Sequence, residues 1–524
     1  MARLICRLPS SDPPSDAEAA AAGIGAWLVE LRALPCGELA LQAPPDWLAR
    51  PKAQLPWCLE LVLTATMSPA AERQLSRQLA TWLAQASPWP PIGRPLLWVR
   101  DPERLSQPHF AAARLRQAHP AELVLLAGGT QPAGFAGGYA RPWRDGRCKR
   151  FNGTQLNYLS FLAEAHHPPQ RAEGIWVPAV LPWSPALDAC FANASAEFYR
   201  EWLDQASAWA DLWHLGSGQE ALVLVEGWAG HQRWWMPPEP PPQPPADAGS
   251  TTAEVVWQGW GTLDSSQPAV LVHGYWLERL ATLLDGLGDG EDPQLCLYVS
   301  TPAYQLDQVA QLVRQRGWQR VRLAGCANRG RDIAPFLLHL LPAALAAGHP
   351  WLLKLHTKQS SHLGQGEAWG AHLSSHLATA AAVRNLASQF EREASLGVLT
   401  PPGSLLPLAV TLHRNGHHLS QLASRLGLSG RWLLGQPFCA GSMFAARREA
   451  LTPLLGLELE LGAFEPEQGQ EDGTLAHSLE RLVVALATRA GYGALALPGD
   501  AAAVPGFGHR WAAPGVANGS PYDR

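Results

Sequence analysis

Asn328-Arg329-Gly330-Arg331-Asp332-Ile333-Ala334-Pro335-Phe336-Leu337 follows the apolar run Val321 to Ala324, and Lys354-Leu355-His356-Thr357-Lys358 follows a second one, Trp351 to Leu353. Short apolar runs that stop at charged residues read as buried strands with polar carboxyl ends, the edge at which open α/β sheets hold ligands. Working outward, the rhythm repeats. Ala269 to Gly274 and Leu295 to Ser300 read as the two preceding strands, each followed by helical apolar spacing, over Trp276 to Gly286 and Leu306 to Arg316. Gly397 to Thr400 extends the strand series, with helices expected over 334–346, 368–390 and 474–489. Strand and helix in alternation imply crossovers and a mostly parallel, doubly wound sheet.

At 524 residues the chain exceeds one ordinary core. Met236 to Ser250 is so rich in proline that it can be neither helix nor central strand. It reads as a linker over 237–250 between a first half, 1–236, and a second, 251–510, with a disordered tail at 511–524. The formal net charge of -5 offers no general attraction for nucleic acid, so any phosphate site must be local. Eight cysteines without a CxxC pair fit reduced thiols in a cytoplasm. No apolar run is long enough for a signal peptide or a membrane span.

The chemistry of the two opening segments suits a nucleotide-sugar donor. Arg329, Arg331, Lys354 and Lys358 concentrate positive charge at strand ends, where a departing diphosphate needs it. Gly330 permits close backbone approach, and Pro335 fits the first turn of a helix whose amides could also face phosphate. The alternative for Arg329, Arg331 and Asp332 is a surface ion-pair cluster, and for His356 a structural histidine under the sheet edge. Gly441 and Ser442, inside Phe438 to Phe444, would let an acceptor sugar approach the backbone; the same segment also reads as a buried strand with a glycine bulge. Glu471 and Asp472 open a helix, where acidic residues also simply suit the macrodipole.

Six ordered motifs, VHGYW (His273, Tyr275), LYVSTP, NRGRDIAPF, LKLHTKQSSH, FCAGSMFAARREAL and EDGTLAHSLERL, resemble the rhamnan synthesis protein F family from Ala269 to Gly493. The resemblance implies a bacterial glycosyltransferase of polysaccharide assembly, with rhamnose or a related deoxyhexose as the sugar and a polysaccharide or lipid-linked glycan as acceptor. Its setting would be O-antigen and cell-envelope synthesis. The order of elements also resembles a GT-A (Rossmann-like) transferase domain, and that comparison implies individual roles. Donor contacts fall on His273, Asn328, Arg329, Gly330, Arg331, Asp332, His356 and Lys358; acceptor contacts fall on Gly441, Ser442 and His477. Asp472 is the implied general base of an inverting reaction, with Glu471 as runner-up. Where such domains carry metal-binding carboxylates, this chain reads His356-Thr357-Lys358, so no metal ligand is assigned and no cofactor is expected. The alternative is that Asp332 holds Mg²⁺ or Mn²⁺ through phosphate oxygens. A cytoplasmic enzyme acting on lipid-linked glycan would visit the inner membrane surface transiently.

The first half is similar to the later part of the WbsX-type family of (β/α)-barrel domains, through LPWCLEL, IGRPLLWVRDPERL, WVPAVLPWSPALD, ASAEFYREWL and ALVLVEGWAGHQRW. The first 50 residues lack that family's early strands, which implies an incomplete or remodelled barrel. Where the family carries a Trp-Asn-Glu-Trp type motif, Gly227 to Trp234 has no carboxylate, and Glu226 is out of register. Glycoside chemistry needs paired carboxylates, so this half is expected to be non-catalytic, binding glycan through Trp57, Trp183, Trp228 and Trp234 or using them structurally. The competing reading for the whole chain is a carbohydrate-binding or assembly subunit without catalysis.

Overall fold

The computed structural model describes residues 3–7, 19–20, 24–42, 57–83, 96–106, 108–116, 124–128, 135–139, 156–157, 175–180, 191–192, 196–217 and 221–225 of the first half, and 255–288, 295–357, 366–467, 470 and 472–498 of the second. The expected linker and tail, with Lys358, Glu471, Trp183, Glu226, Trp228 and Trp234, lie outside these residues.

In the first half, β1 (Arg3–Arg7), β2 (Ile24–Ala33), β4 (Trp57–Leu63), β5 (Leu96–Arg100), β6 (Val124–Gly128) and β7 (Gly137–Tyr139) pair in parallel in that order. β3 (Leu39–Gln42) folds back antiparallel on β2. The next run, β8, spans residues 175–180. Its Ile175–Val177 pairs with β7, and its Ala179–Val180 pairs with β9 (Leu222–Val225), which in turn pairs with β1. Every one of these pairings is parallel, and because the run 175–180 pairs on both sides, the ladder of described strands returns to its first strand. Two of its strands come from the first 50 residues, which corrects the expectation that early strands are missing there. The signal was weak because β1, Arg-Leu-Ile-Cys-Arg, is a three-residue apolar run bracketed by arginines.

Alternate residues of the ladder face opposite ways. Trp27, Val29, Leu59, Leu61, Leu97 and Val99 pack outward on helix Pro69–Leu83 and its neighbours, whereas Leu28, Trp98, Leu126 and Leu224 share the other core. Trp57 belongs to the outward set and is buried, so it presents no face for a sugar to stack on. Helix α1 (Ala196–Trp213) is buried between the two halves: Leu203, Ala206 and Ala210 turn to the ladder, while Trp209, Leu212 and Trp213 join a core shared with the second half.

Beside a separate antiparallel pair, Leu405–Pro407 against Pro437–Cys439, the second half is built on an eight-stranded open sheet. Its strands are β10 (Val256–Trp260), β11 (Ala269–His273), β12 (Cys296–Pro302), β13 (Val321–Cys326), β14 (Trp351–His356), β15 (Leu396–Thr400), β16 (Phe444–Arg447) and β17 (Gly493–Ala496). They lie in the order β10-β13-β12-β11-β14-β16-β15-β17. β13, β12, β11 and β14 run parallel, β10 is antiparallel at one edge, and β16 is antiparallel between β14 and β15. Helices 277–287, 306–315, 366–377 and 380–392 cover one face. The run 333–347 and helix α4 (Leu475–Glu480) cover the other, and α2 (Gly416–Arg425) and α3 (Gly430–Leu434) carry that face to α1. The helix expected over 368–390 is thus two, restarted at Thr379, whose hydroxyl caps Ala382. Similarly, the helix expected over 474–489 breaks after Glu480 and resumes at Val483.

Candidate functional site

The strand order reverses at β11, which pairs with β12 on one side and β14 on the other. In register, Ser300, His273 and His356 therefore form one row at the carboxyl ends of three adjacent strands. This is the crevice where open sheets of this kind bind ligands. Lys354 lies two residues before His356 and so projects from the same face.

That lysine is the centre of the site, yet it is not available to a ligand. It is 2% exposed and its ammonium donates to Asp332 Oδ2 (2.5 Å), to the Ser442 carbonyl (2.7 Å) and to Ser442 Oγ (2.8 Å). The Phe336 and Phe444 rings close around it, 5.3 and 5.9 Å from the nitrogen. His356 Nδ1 stands 3.4 Å from the same carboxylate oxygen. Burial acts to raise the Asp332 carboxyl, but the charges of His356 and Lys354 and the Lys354 hydrogen bond overcome it and hold it well below the usual carboxylate range. His273 Nδ1 is 3.0 Å from Ser300 Oγ. Burial, opposed by Asp332 and aided by Lys354, holds His273 at about 4, so the ring is neutral at pH 7.

The lysine joins two turns of one kind. Gly330 and Arg331 have φ of 69° and 55°, and Gly441 and Ser442 have φ of 86° and 53°. A non-glycine residue in the left-handed region is uncommon, and here each is held from outside its own turn. The Arg331 amide donates to Glu467 Oε1 (2.9 Å) and its guanidinium to the Gln470 carbonyl. The Gly441 amide donates to Glu480 Oε1 (2.7 Å), on α4. A Cβ at 330 would lie 2.5 Å from Ala334 Cβ; at 441 it would lie 2.6 Å from Leu373 Cδ1, which would have to move, and the positive φ there favours glycine in any case.

Arg329 donates through Nε to the Phe464 carbonyl (2.5 Å), so it fastens the 462–470 segment, as Arg331 does. Asn328 is exposed. Neither arginine pairs with Asp332 in the tripeptide cluster that the sequence allows; Asp332 turns inward to Lys354. Among the described residues, no group of three His, Cys, Asp or Glu side chains is placed to hold a metal ion. At Asp332 the ammonium of Lys354 donates to the carboxylate.

The other carboxylate comes from the opposite wall. Asp472 accepts from Asn415 Nδ2 (2.8 and 2.9 Å) and the Arg414 amide (3.2 Å), with Arg481 at 3.6 Å. His477 lies between the two centres: burial lowers it to about 4, Asp472 and Asp332 pull upward, and Arg331 and Arg481 push down. Its Nδ1 meets the Thr474 hydroxyl at 2.7 Å, in a capping box that fixes the start of α4.

Of the residues singled out in the sequence, His273, Asp332, His356, Ser442, Gly441, Asp472 and His477 converge on this edge, whereas Arg329 and Arg331 face the 462–470 segment. The helical spacing of His477, Glu480 and Arg481 marks the last two as residues that orient the acidic motif, and here Glu480 holds the Gly441 amide while Arg481 stands by Asp472. Sequence reasoning missed Glu467 and Asn415; the latter lies 57 residues from Asp472.

The first half has a charged cluster as well, where the sequence motif search found none. Glu30, Glu60 and Arg100 lie on the consecutive strands β2, β4 and β5, and Tyr139 ends β7, one strand beyond β6. Glu60 is fully buried, gripped by Arg100 through Nε (3.1 Å) and Nη2 (2.5 Å) and by the Tyr139 hydroxyl (2.7 Å), and Glu30 meets the same Arg100 at 3.4 Å.

The sequence similarities concern the second half. The protein WxcX of Xanthomonas campestris pv. campestris, named as uncharacterized, is 36% identical over 228 residues in two strains, B100 and ATCC 33913. The match takes in 44% of this chain and 32% of the relative, so the chain spans about a third of the length of these curated relatives. Among solved structures, a sucrose-phosphate synthase from Thermosynechococcus elongatus aligns over 74% of this chain and 98% of its own at 11% identity. Its TM-score of 0.13 is too low to carry an argument about fold or function. Residues 255–492, which contain the whole candidate site, match the model of the rhamnan synthesis protein F family, as their six motifs imply.

Proposed function

We propose that the second half is a GT-A-like glycosyltransferase that moves a sugar, rhamnose or a related deoxyhexose, from a nucleotide diphosphate to a bacterial surface polysaccharide. The observation that carries this reading is the convergence of Asp332, Lys354, His356, His273 and Ser442 at the strand-order reversal, inside the region matched by the rhamnan synthesis family. The sheet order, with one reversed strand beside β14, supports the same assignment.

In this mechanism the acceptor hydroxyl attacks the anomeric carbon of the donor. Its C–O bond forms as the bond to the diphosphate breaks on the opposite face, and the configuration inverts. Asp472 takes the acceptor proton; Asn415, the Arg414 amide and Arg481 hold its oxygens in place for that task. The nucleoside diphosphate departs toward His356 and the 328–332 turn. The Lys354–Asp332 pair acts as scaffold, holding the donor and acceptor turns at a set separation.

Asp472→Asn is expected to lower turnover by about 10²–10⁴-fold while donor affinity, measured by calorimetry with a panel of nucleotide sugars, stays within about threefold. Near-normal turnover in this variant would remove Asp472 as base. Selective binding of glycan, with no binding of any nucleotide sugar, would favour the assembly subunit instead. Turnover in EDTA is expected to match that in Mg²⁺ or Mn²⁺, because Lys354 already neutralises Asp332; full loss with EDTA and rescue by Mn²⁺ would reverse that.

A further inference from the structure

The first half holds no described part of the site, yet it ends against the segment that positions Asp472. Residues 413–415 form a short turn leading into α2, and Gly416 is the first residue of that helix. Gly416 has φ of -58° and ψ of -36°, a right-handed helical conformation in which alanine is preferred. The backbone therefore gives no reason for glycine there. The reason is space: a Cβ at 416 would lie 1.9 Å from the Ala208 Cβ of α1, in the other half. A second contact of this kind stands one helix later, where a Cβ at Gly430 would lie 1.5 Å from the Leu212 carbonyl oxygen. Arg431 adds a guanidinium 4.8 Å from the Trp213 ring centre and a hydrogen bond to the Trp213 carbonyl (3.3 Å).

The residues just before Gly416 hold the carboxylate. Arg414 gives its amide, and Asn415, fully buried, gives its side-chain amide to both Asp472 oxygens. Asn415 is in turn held by Ser478 of α4, whose hydroxyl donates to its Oδ1 (3.3 Å). Thr411 of the same segment receives Arg481 Nε at its carbonyl (3.1 Å). A displacement at Gly416 thus passes through one peptide bond to Asn415 and through the next residue to Arg414, the two neighbouring donors on Asp472.

We propose that the first half serves the second as a positioning element: α1, through the contact of Ala208 with Gly416, sets the place of the 411–416 segment and thereby of Asp472. Ala208 and Gly416 are positioning residues, since neither touches the site directly. The proposal rests on the transferase reading for its effect on turnover, but its structural step can be measured without any substrate.

The test uses the full chain with three variants: Gly416→Ala, the double variant Ala208→Gly/Gly416→Ala, and Asp472→Ala as reference. The readout is hydrogen exchange at the Arg414 amide, whose residue is exposed and whose recorded acceptor is Asp472. Asp472→Ala and Gly416→Ala are each expected to speed this exchange about tenfold or more, and the double variant to return it to within about twofold of the natural protein. The turnover number should follow the same pattern, with donor KM unchanged. Unchanged exchange in Gly416→Ala overturns the proposal, as does a folded double variant that fails to restore it. If Gly416→Ala does not fold, Ala208→Gly alone decides: opening a gap under Gly416 should speed Arg414 exchange, and unchanged exchange overturns the proposal. If the natural protein transfers no sugar, the transferase reading fails while the exchange result still decides the positioning claim.

Discussion

The two halves bury charge in opposite ways. In the closed ladder of the first half, Glu60 and Arg100 meet diagonally across adjacent parallel strands with Tyr139 and Glu30 around them, and these four side chains of the ladder bond one another. In the open sheet of the second, the buried ammonium of Lys354 binds groups from two other elements, Asp332 after β13 and Ser442 before β16. A pair within one ladder stabilises that ladder. A pair that crosses between loops fixes the distance between them, and at a sheet edge such a distance is what a two-substrate site requires.

The largest effect expected from this contrast is on Lys354. Lys354→Met leaves the Asp332 carboxylate buried without its main partner and frees both left-handed turns, so a loss of about 3–5 kcal/mol in urea unfolding is expected. Donor binding should be lost with it. A loss below about 1 kcal/mol would break the comparison, because the pair would then be a surface contact in effect. Arg100→Met in the ladder is expected to cost less, about 2 kcal/mol, because Glu60 keeps the Tyr139 hydroxyl and the 28% exposure of Arg100 lets water in. It should leave binding of nucleotide sugars unchanged. Equal effects on binding from both variants would show that the halves are not distinct in this respect.

The smallest effect is on pH dependence. His273 and His477 are both held at about 4 in the folded chain, against 6.5 when unfolded, so the unfolded chain binds more protons between those values. Their contribution to stability is complete above pH 6.5 and is lost progressively as pH falls toward 4. Thermal midpoints should decline over that window, and His273→Gln should flatten part of the decline. A midpoint independent of pH across the window would mean that these rings are solvated, and hence that the edge of the open sheet is looser than the ladder.

Much of the second half was legible in advance because its strands are apolar runs that end in charge, and such runs announce both the element and its carboxyl edge. The roles of the cations were not. Nothing in Asn-Arg-Gly-Arg-Asp tells which side chain turns inward, since that depends on Lys354 lying two residues before His356 on a neighbouring strand and on Ser442 facing it 88 residues later. The closed ladder was less legible, because several of its strands are only three to five residues long and their closure depends on one run, 175–180, pairing on both sides.

The amino-acid sequence by itself therefore determined the alternation of strand and helix in the second half, the place of the polar edge within it, and the family resemblance of that region. Those features are local in the chain and follow from periodicity, turn residues and motif order. Only the tertiary structure decided that Arg329 and Arg331 fasten a loop, that Lys354 is a buried tie, and that Asn415 holds Asp472. It also decided that Gly416 is required by an alanine some two hundred residues away in the other half. Hydrogen bonds and steric contact act over a few ångströms in space, and the chain's order carries no measure of that distance.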